Sequence, residues 1–297
     1  VITIHSAARI NTPLFIVWRV RRAAGFPAPV SRYKGVVRIP IYQVDAFTRR
    51  LFAGNPAAVC PLEKWLPDSV LQAIAAENNL SETAFFVRRE KRFQLRWFTP
   101  VREVDLCGHA TLAAAFVILN HLDPSLEAAR FDTMSGELTV GRDGDLLVMD
   151  FPSRPPRPAP ADPLLSDALG VAPREVWASR DLMALFDSEE QVRALRPDMT
   201  KLAQLDAFAV IATAPGGDCD FVSRFFAPRA GVAEDPVTGS AHCTLVPYWS
   251  RRLGKDRLFG RQVTARGGEL WCEDRANRVI IKGQAVLFLR GEAVTED

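Results

Sequence analysis

The chain has 297 residues, 48% hydrophobic and 24% charged, with a formal net charge of +2 at pH 7. That length suits one large domain or two ordinary ones, and the composition is that of a soluble globular enzyme. No apolar run approaches a membrane span and the charge leaves no footprint for nucleic acid; the five scattered cysteines form no secretory framework, so a reduced, cytoplasmic setting is expected.

Residues 1–37 are rich in Arg and Pro, and their apolar run Leu14-Phe15-Ile16-Val17-Trp18 is short. The parts of a signal peptide are missing or out of order there, so this stretch is read as an extension outside the fold. From Ile39 to Phe47 the pattern alternates as in a strand, and Gly54-Asn55-Pro56 signals a turn before a second strand at Ala57-Ala58-Val59-Cys60. Val70, Leu71, Ile74 and Ala75 have helical spacing behind Pro67-Asp68. Strands follow at Ala84 to Arg88 and Arg92 to Phe98. Gly108 to Leu119 is apolar nearly all round, the mark of a buried helix. Two more strands, Phe131 to Val140 and Asp145 to Phe151, complete a first lobe spanning residues 38–153.

Residues 154–163 hold five prolines, at 155, 156, 158, 160 and 163, and read as a stiff extended linker. A second lobe over residues 164–284 repeats the order, with strands at Phe208 to Ala212 and Asp220 to Phe226 and a helix opened by Gly239. Many strands with one central helix per half make this α+β with an internal repeat rather than βαβ winding. The repeat is also visible in residues. Arg96-Trp97-Phe98-Thr99-Pro100 precedes Cys107-Gly108-His109, and Arg224-Phe225-Phe226-Ala227-Pro228 precedes Thr238-Gly239-Ser240.

Each glycine opens an apolar helix, whose first turn offers free N–H groups and the positive dipole end to an anion. Gly108, Gly239 and Ser240 are therefore candidates for holding a carboxylate. The plainer reading, that each glycine only permits close packing, weakens because the motif occurs twice. Glu82 lies among apolar and small residues, and aligning Ala84-Phe85 on Ala207-Phe208 puts Leu205 opposite it. A carboxyl added to one copy alone, in an apolar setting, suits a group that takes and returns a proton. A solvent-facing glutamate at a strand start is the alternative. Asp235 is either a second carboxylate for substrate or an Asp-Pro turn former. His109 lies in a first helical turn, where the neutral imidazole is favoured; it is a structural residue or a substrate donor. Cys107, His109, His242 and Cys243 fit none of the usual zinc spacings, and neither a Walker loop nor a Rossmann fingerprint is present. No metal and no cofactor are expected.

At these residues the chain resembles the PhzF-like family of phenazine biosynthesis proteins, within the diaminopimelate epimerase-like fold. The resemblance runs through Asp45-Ala46-Phe47, Gly54-Asn55-Pro56-Ala57-Ala58-Val59, Asn79 to Phe85, Cys107 to Leu112 and Glu234 to Ala241. It implies two pseudo-symmetric lobes, each a curved, mostly antiparallel sheet around a central helix, with the last strand (285–293) returning to the first lobe. It also implies a homodimer and a small carboxylate-bearing substrate. By that resemblance Glu82 transfers the proton, His109 and Asp235 flank the substrate, and Gly239 and Ser240 hold its carboxylate. The epimerase branch uses two opposed cysteines; here Cys107 matches the first position and Thr238 the second. The readings left open are a cofactor-independent proton-shifting isomerase, an amino-acid epimerase using Cys107, and a PhzF-like binding protein without catalysis.

Overall fold

The computed structural model describes residues 36–296. The reading of residues 1–37 as an extension lies outside the described residues as far as residue 35. Val36 and Val37 already pair in the first strand, which moves that boundary.

The first run of elements begins with β1 (Val36–Ala46), β2 (Asn55–Leu62), α1 (Asp68–Asn78), β3 (Glu82–Arg89) and β4 (Arg92–Phe98). It continues through a short β5 (Glu103–Val104), α2 (Gly108–Val117), β6 (Ala129–Thr133), β7 (Gly136–Asp143) and β8 (Leu146–Pro152). After β9 (Arg157–Pro158) and α3 (Pro163–Leu169) come β10 (Glu175–Ala178), β11 (Leu182–Leu185), α4 (Glu189–Ala194) and α5 (Met199–Leu202). Next are β12 (Val210–Pro215), β13 (Phe221–Ala227), β14 (Val232–Asp235) and α6 (Gly239–Leu253). The chain ends in β15 (Arg257–Gln262), β16 (Gly268–Arg275), β17 (Arg278–Gly283) and β18 (Ala285–Glu296).

Strand pairing shows the internal repeat directly. β1–β2 is antiparallel, β2–β3 parallel, β3–β4 and β4–β5 antiparallel, and β4–β6 parallel. In the second run β10–β11, β11–β12, β12–β13, β13–β14 and β13–β15 follow the same sequence of directions. The halves are stitched by β8 against β17, and β18 runs back along β1 from Ala46↔Ala285 to Val36↔Glu296. Each half curls around one helix. α2 is buried from His109 to Ala115, and its alanines let the strands close tightly about it. α6 is buried at nearly every position from Gly239 to Ser250.

Three sequence expectations change. The cross-strand pairs Thr83↔Phe98 and Val210↔Phe226 make Thr83 and Val210 equivalent, so Ala209, not Leu205, stands opposite Glu82. Phe208 lies ahead of β12, 46% exposed, and was a false anchor for the alignment. The proline-rich stretch is not a free spacer, because Arg157 and Pro158 pair with Ala178 and Trp177 of β10. It is pinned a second time at α6. Pro247 has no N–H to give the Cys243 carbonyl one turn back, and the Arg154 N–H takes that place at 2.8 Å. Finally, Asn55 and Pro56 belong to β2 itself, and the turn precedes them.

The two halves meet around Asp45, Phe47 and Arg266. Asp45 is 2% exposed and pairs with Arg266 at 2.7 Å, while Arg266 also donates to the Gly54 and Ala53 carbonyls at 2.8 and 3.0 Å. Phe47 is fully buried in the left-handed region (φ 62°), and its carbonyl accepts from the Glu269 N–H at 3.0 Å. Its ring leaves no room for a side chain at Gly283, where a Cβ would sit 2.4 Å from Phe47 Cδ1. Removing one partner of a buried ion pair strands the other charge. Arg266→Met should therefore lower stability by about 2–4 kcal/mol, seen as a lower urea midpoint. Asp45→Asn in the same chain should recover part of the loss; an unchanged midpoint in Arg266→Met would mean the pair does not clamp the halves.

Candidate active site

The site forms where the two helix starts meet. Cys107 and Thr238 are the N-cap residues of α2 and α6, both extended, with ψ of 111° and 98°. Neither side chain caps its helix, so the first-turn N–H groups keep no side-chain acceptor of their own. The helix starts abut: a Cβ on Gly108 would lie 3.7 Å from Gly239 Cα, and one on Gly239 would lie 3.8 Å from Gly108 Cα. Two positive dipole ends thus face each other across the join, an arrangement that favours an anion between them.

Around this join the chain gathers its polar groups. Glu82 opens β3 beside Ala57 of β2, and its side chain is 15% exposed. Its Oε2 lies 3.1 Å from His109 Nε2. The approach is close enough for charge pairing but lacks hydrogen-bond alignment, so both atoms are buried without a hydrogen-bond partner. His109 Nδ1 faces Cys107 Sγ at 3.5 Å and Asn55 Nδ2 at 3.2 Å. Asn55, fully buried, also donates to Asp235 Oδ1 at 2.8 Å and to the Val237 carbonyl at 2.9 Å, tying β2 to the loop before α6. Thr238 donates its hydroxyl to Asp235 Oδ2. Gln262 holds the same turn, accepting from Thr238 N at 2.8 Å and donating to the Asp235 carbonyl at 2.7 Å.

Electrostatics divide the roles. Burial pushes the Asp235 carboxyl up to about 6; His109 opposes this, the Glu82 carboxylate adds to it, and hydrogen bonds from Thr238 and Asn55 hold it back. Burial likewise pushes the Cys107 thiol up to about 11, so it remains protonated at neutral pH. For His109, burial works against the cation, but Cys107 and Glu82 outweigh it and hold the imidazole well above the usual histidine value. The expectation of a neutral imidazole at the helix start is therefore corrected. With Cys107 protonated, the neighbour that favours a protonated imidazole is the Glu82 carboxyl 3.1 Å from Nε2.

Glu82, Cys107, Gly108, His109, Asp235 and Gly239 thus lie in one cluster. Ser240 stands at its edge, where its hydroxyl meets Arg180 at 3.3 Å. Glu82, Cys107 and His109 place ligand atoms within 4.8 Å of one another. The imidazole turns Nδ1 to the thiol and Nε2 to the carboxylate, so one ion could not take all three as they stand. His242 and Cys243 point elsewhere. His242 Nδ1 meets the Thr238 carbonyl at 2.9 Å, burial lowers its pKa to about 4, and Cys243 is buried in the core. Asn55 and Gln262 were missed as site residues. Asn55 was in view only as a turn former, and no local signal marks Gln262, which arrives from another strand.

A sequence profile of phenazine biosynthesis-like proteins matches residues 44–291. An "uncharacterized isomerase" of Pseudomonas aeruginosa is 53% identical over 255 residues, 86% of this chain and 98% of that protein. The crystal structure of a phenazine biosynthesis PhzF-family protein from Enterococcus faecalis is 50% identical with a TM-score of 0.85, covering 86% of this chain and 99% of that one. A "predicted epimerase" of Pseudomonas aeruginosa, at 22% identity and a TM-score of 0.65 over 86% of this chain and 99% of its own, shares the fold.

The raised Asp235 carboxyl sets a stability trend. Between about pH 4 and 6 the folded state holds a proton on Asp235 that the unfolded state has released, so this group's contribution falls as pH rises through that window. Asp235→Asn, which can keep the acceptor toward Asn55, should be more stable than the parent at pH 7.5 by about 1–3 kcal/mol. Urea titrations across pH should show the advantage vanish near pH 4; a constant offset would place the effect outside this ionisation.

Proposed function

The chain belongs to the phenazine biosynthesis-like protein family, and on that premise we propose that it is an isomerase that shifts one proton within a small carboxylate-bearing substrate, without a cofactor. The observation that carries the reading is that Glu82 Oε2 and His109 Nε2, 3.1 Å apart, are buried atoms without hydrogen-bond partners beside two uncapped helix starts. Buried polar atoms left unpaired call for an explanation, and a substrate that reacts between them supplies one.

In this reading the ionised Glu82 takes a proton from a carbon conjugated with the substrate carboxylate. The released electron pair moves into that carboxylate, whose oxygens face the first-turn N–H groups at Gly108 and at Gly239 and Ser240. Glu82, now protonated and able to exchange with solvent, delivers a proton to another carbon of the conjugated system, so substrate and product are isomers. His109 steadies the glutamate as its charge comes and goes. Asp235, close to half-protonated near pH 6, hydrogen-bonds a substrate amine or hydroxyl. Epimerisation through Cys107 finds less support: its thiol is pushed up to about 11, and the matching N-cap across the join is the Thr238 hydroxyl.

The test is proton NMR in deuterated buffer with a panel of cyclic and acyclic carboxylic acids. The parent should exchange a carbon-bound proton with solvent deuterium, Glu82→Gln should lose the exchange by about a hundredfold or more, and Cys107→Ala should keep it. Ligand binding to Glu82→Gln should stay within a few fold. Full exchange in Glu82→Gln would overturn the assignment; loss in Cys107→Ala alone would favour the epimerase.

A further inference from the structure

Beyond the join, Arg154 carries a charge that the fold does not use. It lies three residues after Phe151, whose Cζ would be 3.7 Å from a Cβ on Gly108, so it leaves the first half beside the site. Its backbone is fixed by the bond to the Cys243 carbonyl, created by the missing N–H of Pro247. Its guanidinium forms no ion pair among the described residues, and Nη1 is buried without a hydrogen-bond partner. Ser153 Oγ, one residue earlier, is buried and unpartnered as well. A buried arginine nitrogen left unpaired is expensive, and the site that holds it normally supplies an anion.

Arg180 approaches the same turn of α6 from the β10–β11 connection. It is clamped by two bonds to Asp181, at 2.9 and 2.8 Å, and lies 4.7 Å over the exposed Phe208 ring. From there Nη2 reaches Ser240 Oγ at 3.3 Å. The Arg154 N–H meets the Cys243 carbonyl at 2.8 Å and Arg180 Nη2 meets Ser240 Oγ three residues earlier at 3.3 Å, which places both residues around the first turns of α6. Asp181 offsets the charge of Arg180, which therefore serves as an oriented donor; Arg154 has no such carboxylate.

We infer that Arg154 and Arg180, with Ser240 between the join and Arg180, form a second anion seat, and that the substrate is a diacid. One carboxylate rests on the helix starts and a second acidic group, remote from the reacting carbon, pairs with Arg154. The inference rests on the proposed reading of the join as the carboxylate site. Arg154 is then a specificity-determining residue, and its unpaired charge is a selector against monoacids.

The experiment compares α,ω-dicarboxylates of four to eight carbons with their monoamides, by isothermal titration into the parent, Arg154→Gln, Arg154→Lys and Glu82→Gln. At the best chain length the diacid should bind the parent about tenfold or more tighter than its monoamide. That gap should collapse in Arg154→Gln, return in part in Arg154→Lys, and persist in Glu82→Gln. Unchanged circular dichroism and melting temperature in Arg154→Gln would exclude a folding effect, since its guanidinium has no ion-pair partner to lose among the described residues. The inference is overturned if no chain length shows a gap, if neither acid binds, or if the gap survives in Arg154→Gln. Deuterium exchange run on the same acids separates the two readings. Glu82-dependent exchange without a gap would sink the second seat alone, whereas a gap in binding with exchange insensitive to Glu82 would sink the catalytic assignment and leave the seat standing.

Discussion

Two helix starts so close that a Cβ on either would touch the other are the constraint from which the rest of this structure follows. A Cβ added to either Gly108 or Gly239 would lie under 4 Å from the other's Cα, so side chains at both would compete for one space. The positive ends of two buried helices repel, and neither has a capping side chain to spread that charge. The strands therefore have to hold the helices in place. They do so through the β8–β17 and β1–β18 pairings, the Asp45–Arg266 bridge and the left-handed Phe47, whose ring lies against Gly239 and Gly283.

That forced meeting creates the chemistry. A site with surplus positive dipole and little water draws in acidic groups, and Glu82 and Asp235 approach from opposite halves with His109 between them. Burial pushes the Asp235 carboxyl up to about 6, with the Glu82 carboxylate adding to the rise and the imidazole opposing it. The cluster separates its members into a carboxylate that moves a proton and neighbours that tolerate the change. Asn55 couples the two halves of the cluster, since its amide donates to Asp235 and to the Val237 carbonyl while lying 3.2 Å from His109 Nδ1.

How much of this was legible depended on whether the information was local. The duplicated helix-start motif, the buried character of both central helices and the asymmetric Glu82 could all be read from short stretches. The partner of Glu82 across the repeat could not, because Ala207-Phe208 looks like a strand start until cross-strand register shows that Phe208 precedes β12. The proline-rich stretch looked like a spacer because nothing in it reveals that its neighbour α6 lacks an N–H at Pro247. His109 was assigned to the helix dipole because Glu82, 27 positions earlier in the chain, could not yet be seen beside it.

The sequence by itself determined the α+β class, the doubled unit and the residue types available for catalysis, because apolar periodicity, glycine placement and motif order are written within single elements. Tertiary structure decided which of those residues meet. It brought Asp235 and Asn55 together across 180 positions, supplied Gln262 from a distant strand, and left Arg154 beside α6 with no ion pair among the described residues. The physical reason is that distance and desolvation set the protonation and pairing of a side chain, and both are properties of the packed chain rather than of its order.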